Sequence, residues 1–231
     1  MLLAFDTATP QVTVAIHDGD DVVAEVVSDR TMKHGEQLAP LISDVLTEAG
    51  IVRQDLTAIA VGAGPGPFTG LRVGLVTART LGFALEIPVY AVCTLDVLAV
   101  EAAVSTSSTT KEIEGGFFVA TDARRKEVYL ASYDPDGVRL EGPVVARPAE
   151  VATSAPVVGE GALLYPDAFP TPFGPVRPSA GWLARAVAEE QVELMDPEPL
   201  YLRRPDAVEQ AAQKKVQKKV QTKVQKKVTR Q

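Results

Sequence analysis

The sequence predicts an α/β fold in which mixed sheets are flanked by helices. Three observations lead there. Residues 2–28 hold three short strand-like runs, an apolar one at 2–6, an alternating one at 11–17 and a third at 22–28, the last two separated by a turn at Asp18-Gly19. Two longer segments that follow carry apolar residues at helical spacing. Short apolar runs lie between and after them, so the order reads strand, strand, strand, helix, strand, helix, strand. Such an order needs a sheet that opens antiparallel and continues through parallel crossovers.

Residues 2–6 (LLAFD) read as the first strand. Residues 11–17 place Val12, Val14 and Ile16 on one face, Asp18-Gly19 turns the chain, and residues 22–28 complete a meander. A helix is expected over 36–49, where Leu38, Leu41, Ile42, Val45, Leu46 and Ala49 make one apolar stripe. Gly50 suits its C-terminal cap, and Pro40 lies in its first turn or kinks it. Strand 57–62 leads through a glycine- and proline-rich segment into a helix over 70–85, then strand 88–92 and a short helix over 94–103. The polar run Ser105 to Thr110 connects two halves, 1–104 and 105–205. The second half opens with strands 116–122 and 126–133 around the turn Ala123-Arg124-Arg125. Residues 143–180 are rich in proline and glycine, so long elements are not expected there, and Val157-Val158-Gly159 reads as a brief strand. A helix capped by Ser179 covers 179–190, and residues 199–204 form a last extended piece. The opening order is that of the ribonuclease-H-like, actin-like fold, and a partly repeated second half completes it.

Charge divides the chain of 231 residues unevenly. Its formal net charge is −7, from 23 basic and 30 acidic residues. Residues 214–231 hold eight of the basic ones and no acidic one, so the body alone stands at −15. An acidic body is a poor stand-alone binder of nucleic acid, because phosphate contacts dominate that affinity. The tail 206–231 repeats QKKV, and its valines at 216, 220, 224 and 228 make a weak helical face; a solvated extension is expected. Cys93 is the sole cysteine, which excludes an intrachain disulfide and fits a reducing compartment. No apolar run approaches the ~20 residues of a membrane span. The expected location is cytoplasmic, without membrane contact.

Few residues could carry catalysis. Gly62 to Gly70 leads into a helix N-terminus, where backbone N–H groups favour anions. Yet no Gly-Lys-Ser/Thr follows, and Pro65 and Pro67 remove two donors. A rigid turn that lets backbone pack closely is the better reading. Asp6-Thr7-Ala8-Thr9 sits where actin-like ATPases place a phosphate loop, but Ala8 replaces the glycine that permits close approach. A structural turn is expected. His17 and His34 are the sole histidines and form no metal-binding pair; both are expected at the surface. Cys93 ends an apolar strand, where a buried inert thiol is usual.

Four segments together resemble the TsaB (YeaZ) family. They are Asp6-Thr7-Ala8-Thr9, the run Gly64-Pro65-Gly66-Pro67-Phe68-Thr69-Gly70-Leu71-Arg72-Val73-Gly74, Thr121-Asp122-Ala123-Arg124 with Glu127-Val128-Tyr129, and Tyr201-Leu202-Arg203. The resemblance spans residues 1–205 and is firmest over 1–100. It implies two similar actin-like halves and a non-catalytic role in transferring a threonylcarbamoyl group to the adenosine beside the tRNA anticodon. It also implies a TsaD-like catalytic subunit as dimer partner, a TsaE-like ATPase joining the pair, and tRNA reached through the complex. No cofactor is expected on this chain alone; ATP and metal belong to the partner subunits. Pro67 departs from a position that is often serine in the family, and the QKKV tail has no counterpart there. Two other readings remain. An actin-like small-molecule kinase would need an adenosine motif, of which Gly159-Glu160-Gly161-Ala162 is a faint echo. A peptidase-like protein would need metal ligands that the sequence lacks.

The two N-terminal helices are the expected partner surface. In the first, Leu38, Leu41, Ile42 and Val45 face one way. In the second, Gly70, Gly74, Ala78 and Gly82 lie four apart as a ridge of small residues that would let another helix approach closely, with Arg72, Val73 and Thr77 beside it. Apolar residues surround that ridge almost completely, which calls for cover on more than one side. When the partner is absent, the same surface leaves both a self-dimer and a monomer open. The alternative is that both faces pack only on their own sheet.

Overall fold

The computed structural model describes residues 1–28, 33–106 and 115–203. Met1–Leu200 form one compact unit. Of the second, Tyr201–Gln231, residues 201–203 are described and form neither helix nor strand. The basic repeat lies outside the described residues.

Strands β1 (Leu2–Asp6), β2 (Thr13–His17) and β3 (Val22–Val27) form the antiparallel meander. Helix α1 (His34–Glu48) leads to β4 (Ala58–Gly64), parallel to β1, and α2 (Phe68–Leu85) leads to β5 (Val89–Cys93), parallel to β4. The sheet order is β3-β2-β1-β4-β5, the ribonuclease-H-like arrangement. After α3 (Thr94–Thr106) the pattern starts again. Strands β6 (Phe117–Asp122), β7 (Val128–Tyr133) and β8 (Arg139–Ala146) form a second meander, and β9 (Val157–Val158) lies parallel to β6. That order, β8-β7-β6-β9, repeats the first four positions of the first sheet. The chain is therefore an actin-like fold of two similar halves.

Alternation along the strands builds the layers. Leu3, Phe5, Val12, Val14, Ile16, Ile59 and Val61 point to one face, where Leu38, Ile42 and Val45 of α1 and Leu71, Leu75 and Ala78 of α2 cover them. Ala4, Ala15 and Ala60 point to the other face. Small residues there leave room for α5 (Ala180–Ala188), whose Ala180, Leu183 and Ala184 pack beside Val97 of α3. The second half of the sequence thus returns a helix to the first sheet. Each fully buried Leu or Phe in these layers contributes about 1.5–3 kcal/mol.

Helix ends follow local chemistry. Gly50 takes φ 68° after α1, and the N–H groups of Gly50 and Ile51 satisfy the carbonyls of Thr47 and Leu46. Ser179 caps α5 by accepting the Trp182 N–H at 3.1 Å. Pro40 lies within α1 on its exposed side.

Three expectations are corrected. Residues 139–146 form an eight-residue strand although Pro143 lies in it. β8 is a sheet edge, where a missing backbone donor is tolerated. Residues 199–203 are not extended strand. His17 is 2% exposed rather than at the surface, because it ends β2, which is buried along its length between β1 and β3; its Nδ1 accepts the Gly19 N–H at 3.1 Å. The short α4 (Glu160–Leu164) follows β9 and was not foreseen. Between β6 and β7, Arg124, Arg125 and Lys126 all adopt left-handed φ of 61°, 55° and 61°. That conformation costs about 1–2 kcal/mol per residue that carries a side chain.

Candidate functional site

The end of β1 and the turn after β4 meet where an actin-like ATPase would hold phosphates. Here the two backbones fill that space themselves. A Cβ on Gly62 would overlap Asp6 Oδ2, one on Gly66 would overlap the Ala8 carbonyl, and one on Gly70 the Thr7 carbonyl. Asp6 is 1% exposed. Its Oδ1 accepts the Ala8 N–H at 2.6 Å and its Oδ2 accepts the Thr94 hydroxyl at 2.7 Å. Burial pushes the carboxyl above the usual range, against those two bonds, which favour the charged form. Thr94 Oγ1 in turn accepts the Gly64 N–H at 3.3 Å, and Thr7 Oγ1 donates to the Gly70 carbonyl at 2.9 Å. His34 Nε2 lies 2.7 Å from the Thr9 carbonyl, so this ring steadies the same loop. The glycine-rich segment is a close-packing turn, and Asp6 is satisfied from inside the protein.

A second polar cluster joins the halves. Asp96, in the first turn of α3, accepts the Tyr133 hydroxyl at 2.8 Å and lies 3.6 Å from Arg139. Arg139 also reaches Glu193 at 3.2 Å. Burial raises the Asp96 carboxyl even though Arg139 and Tyr133 oppose it; desolvation outweighs the long ion pair. The neighbouring Cys93 thiol is pushed up to about 12, by burial first and then by the Asp96 charge, so it is inert near neutrality. Glu101 on α3 rises to about 7 through burial and the charge of Glu25. Among the described residues, no group of three or more His, Cys, Asp or Glu side chains is placed to hold a metal ion. No described helix is long and apolar enough to cross a membrane.

The two faces of α2 differ sharply. Gly70, Gly74, Ala78 and Gly82 are buried, and a Cβ on Gly74 or Gly82 would overlap Thr7 Oγ1 or Val89. The small ridge admits the Thr7 loop after β1 and Val89 of β5 of the same chain, and these glycines and Ala78 face inward. Leu38, Ile42 and Val45 of α1 are likewise inside the core. Of the ten residues expected at a partner surface, Arg72 is exposed and Leu41, Val73 and Thr77 are half-buried. Of the outer strip, the sequence reading put Arg72 at the partner surface and left Phe68, Val76, Arg79 and Phe83 off it. Phe68 is 38% exposed, Val76 57% and Phe83 88%. With Arg72 and Arg79 they fall within about 80° of the helix circumference. The Arg72 guanidinium lies over the Phe68 ring at 5.2 Å. The signal was present, since Val76 and Phe83 sit opposite the ridge in the helical repeat. Surface grooves among the described residues include one of about 430 Å³ between Arg53 and the C-terminal end of α2 and one of about 470 Å³ between β3 and α1.

Known proteins share this architecture. The family described as "TsaD: tRNA N6-adenosine threonylcarbamoyltransferase" matches residues 21–172, more than half of the chain. An uncharacterised protein of Mycobacterium tuberculosis is 42% identical over 211 residues, 89% of this chain and 93% of its own length. The tRNA threonylcarbamoyladenosine biosynthesis protein TsaB of Bacillus subtilis is 33% identical over 140 residues, 61% of this chain and 58% of its own. The structure of YeaZ from Pseudomonas aeruginosa superposes with a TM-score of 0.68 at 31% identity, over 87% of this chain and 99% of that one. Shared sequence along almost the whole of a solved YeaZ chain, on the same two-half fold, places this protein in the TsaB (YeaZ) family.

Proposed function

We propose that this chain is a non-catalytic subunit of the machinery that transfers a threonylcarbamoyl group to the adenosine beside the tRNA anticodon. It pairs with a TsaD-like catalytic subunit through the outer face of α2 and the adjoining side of α1. A TsaE-like ATPase joins the pair, tRNA is reached through the complex, and ATP and metal belong to the partners. The work takes place in the cytoplasm, where tRNA is modified.

The observation that carries this reading is the outer strip of α2. Phe83, at 88% exposed, and Val76, at 57%, leave apolar surface in water on a helix that already has a well-packed inner face. Exposed apolar side chains interleaved with arginines, as Phe68, Val76 and Phe83 are with Arg72 and Arg79, have the composition of an interaction surface. The sealed Asp6 turn supports the non-catalytic part, since its carboxylate and backbone groups are engaged within the chain. The same strip could also seat a second copy of the chain when the partner is missing.

Co-expression with a TsaD-like subunit, followed by affinity capture and a transfer assay with ATP, threonine, bicarbonate, tRNA and the remaining subunits, tests the reading. Capture of the pair and loss of transfer when this chain is omitted are expected. Transfer at full rate without it, or by this chain alone, overturns it.

A further inference from the structure

The β6–β7 turn combines an unfavourable backbone with an unusual composition. Its three consecutive left-handed residues are the type of position that glycine, asparagine or aspartate fills with least strain. The sequence supplies Arg124, Arg125 and Lys126 instead, and all three are exposed. Within residues 1–200 no other two basic residues are adjacent. A local choice that contradicts its backbone is expected where side chains serve a purpose other than folding.

The stem holds the turn firmly. β6 and β7 pair without interruption from Phe117↔Tyr133 to Asp122↔Val128. The Ala123 N–H donates to the Glu127 carbonyl and the Glu127 N–H to the Arg124 carbonyl, each at 3.0 Å. Asp122 Oδ1 accepts the Arg124 N–H at 2.8 Å, and Asp122 Oδ2 lies 3.2 Å from the Arg124 guanidinium, which stays 53% exposed. Arg125 and Glu127 are also engaged within the molecule. From β7, the Tyr129 hydroxyl donates to the Gly66 carbonyl at 3.5 Å. Gly66 lies two residues before the outer strip of α2 begins at Phe68. That bond ties the strand following the turn to the segment that leads into α2.

We infer that the Arg124–Lys126 turn contacts the phosphate backbone of RNA bound by the complex. The inference rests on the proposed tRNA function. Asp122 and Glu127 leave the hairpin with a net charge of only +1, so long-range attraction by this hairpin is weak. Recognition is local: a rigid turn presents fixed cations to a phosphodiester already brought close. Removing one cation–phosphate pair should flatten the dependence of log affinity on log salt by about 0.7–0.9.

The test uses the full chain paired with its TsaD-like subunit, so that the basic tail is the same in every sample. Arg125→Gly with Lys126→Gly removes two charges while keeping a residue suited to positive φ. Arg125→Glu with Lys126→Glu reverses them. Binding of tRNA is measured from 50 to 200 mM salt, with ATP binding and subunit pairing measured alongside. The expected result for the glycine pair is unchanged pairing, roughly tenfold weaker tRNA binding at 50 mM salt and a slope lower by about 1–2. The glutamate pair should bind more weakly still. Wild-type affinity and slope in the glycine pair overturn the inference and leave the proposed function standing, as does weakened ATP binding with tRNA binding intact. Failure of the wild-type chain to pair with the TsaD-like subunit overturns both.

Discussion

The two sheets start alike and diverge at their helices. Each has an antiparallel meander and a parallel fourth strand. In the first, fifteen residues of α1 and eighteen of α2 flank the fourth strand. In the second, the corresponding places hold a three-residue turn at Pro148–Glu150 and the five-residue α4. Glycines that admit close backbone approach are kept in both: Gly66 and Gly70 against Ala8 and Thr7, Gly159 and Gly161 against Ala120. Strand order and close approach are thus what this fold needs, while helix length is free to vary. The long helices of the first half provide more surface than its core requires, and the excess is the outer strip of α2.

Four measurements would break or sharpen that contrast. The largest effect should come from the close approaches. Gly70→Val drives a side chain into the Thr7 carbonyl and should destabilise by about 3 kcal/mol or more in urea melts. Gly161→Val, whose Cβ would lie 2.9 Å from Ala120 backbone atoms, should behave alike, whereas Gly115→Ala, with nothing within 4 Å, should be nearly silent. A tolerant Gly161 would mean that the second half packs loosely and the parallel fails. Next comes the seam between the halves. Arg139→Met leaves the buried Asp96 without its cation, held by the Tyr133 hydroxyl and the Cys93 thiol, and should cost about 2 kcal/mol; an unchanged melt would show that Arg139 contributes little to the seam.

The outer strip should separate binding from folding. Phe83→Ser with Val76→Ser is expected to leave the melting temperature within a degree or two, since both side chains are exposed, but to weaken pairing with the TsaD-like subunit about tenfold by calorimetry. A lower melting temperature with unchanged affinity would assign the strip to folding. The smallest effect concerns Glu101. Its native pKa of about 7 lies above the ordinary 4.5, so the native state holds more protons between those values. Stability is fully present below about 4.5 and is lost as pH rises through about 7. Solvent screening of this partly exposed group keeps the loss modest. Glu101→Gln should flatten the melting temperature between pH 5 and 8 and raise it at pH 8; an unaltered profile would remove Glu101 as the cause.

Much of the first half was legible because its signals are local. Val12, Val14 and Ile16 alternate as a one-sided strand must, and the stripe from Leu38 to Val45 has helical period; both lie in the core. β8 was hidden because Gly142 and Pro143 look like a break, and only its place at a sheet edge makes them acceptable. Periodicity showed that α2 is apolar around most of its circumference. It could not tell which side faces the sheet, since Gly70 and Gly74 suit a foreign helix as well as their own strand. The Thr7 loop decides, and its approach to α2 is long-range. The seam of Asp96, Tyr133, Arg139 and Glu193 draws on separated segments, so no spacing rule could reveal it.

The return of α5 bears on how the protein is made. Ala4, Ala15, Ala60 and Val92 reach full burial only with help from Ala180, Leu183 and Ala184. A ribosome finishing β5 at Cys93 must add residues through Ala188 before that cover exists. At about 5–20 residues per second the sheet waits some 5–20 seconds with part of one apolar face bare. The first half is therefore not a self-sufficient product of vectorial synthesis. A nascent chain halted anywhere between the two points would present a sticky surface, which makes it a natural client for chaperones at the exit tunnel.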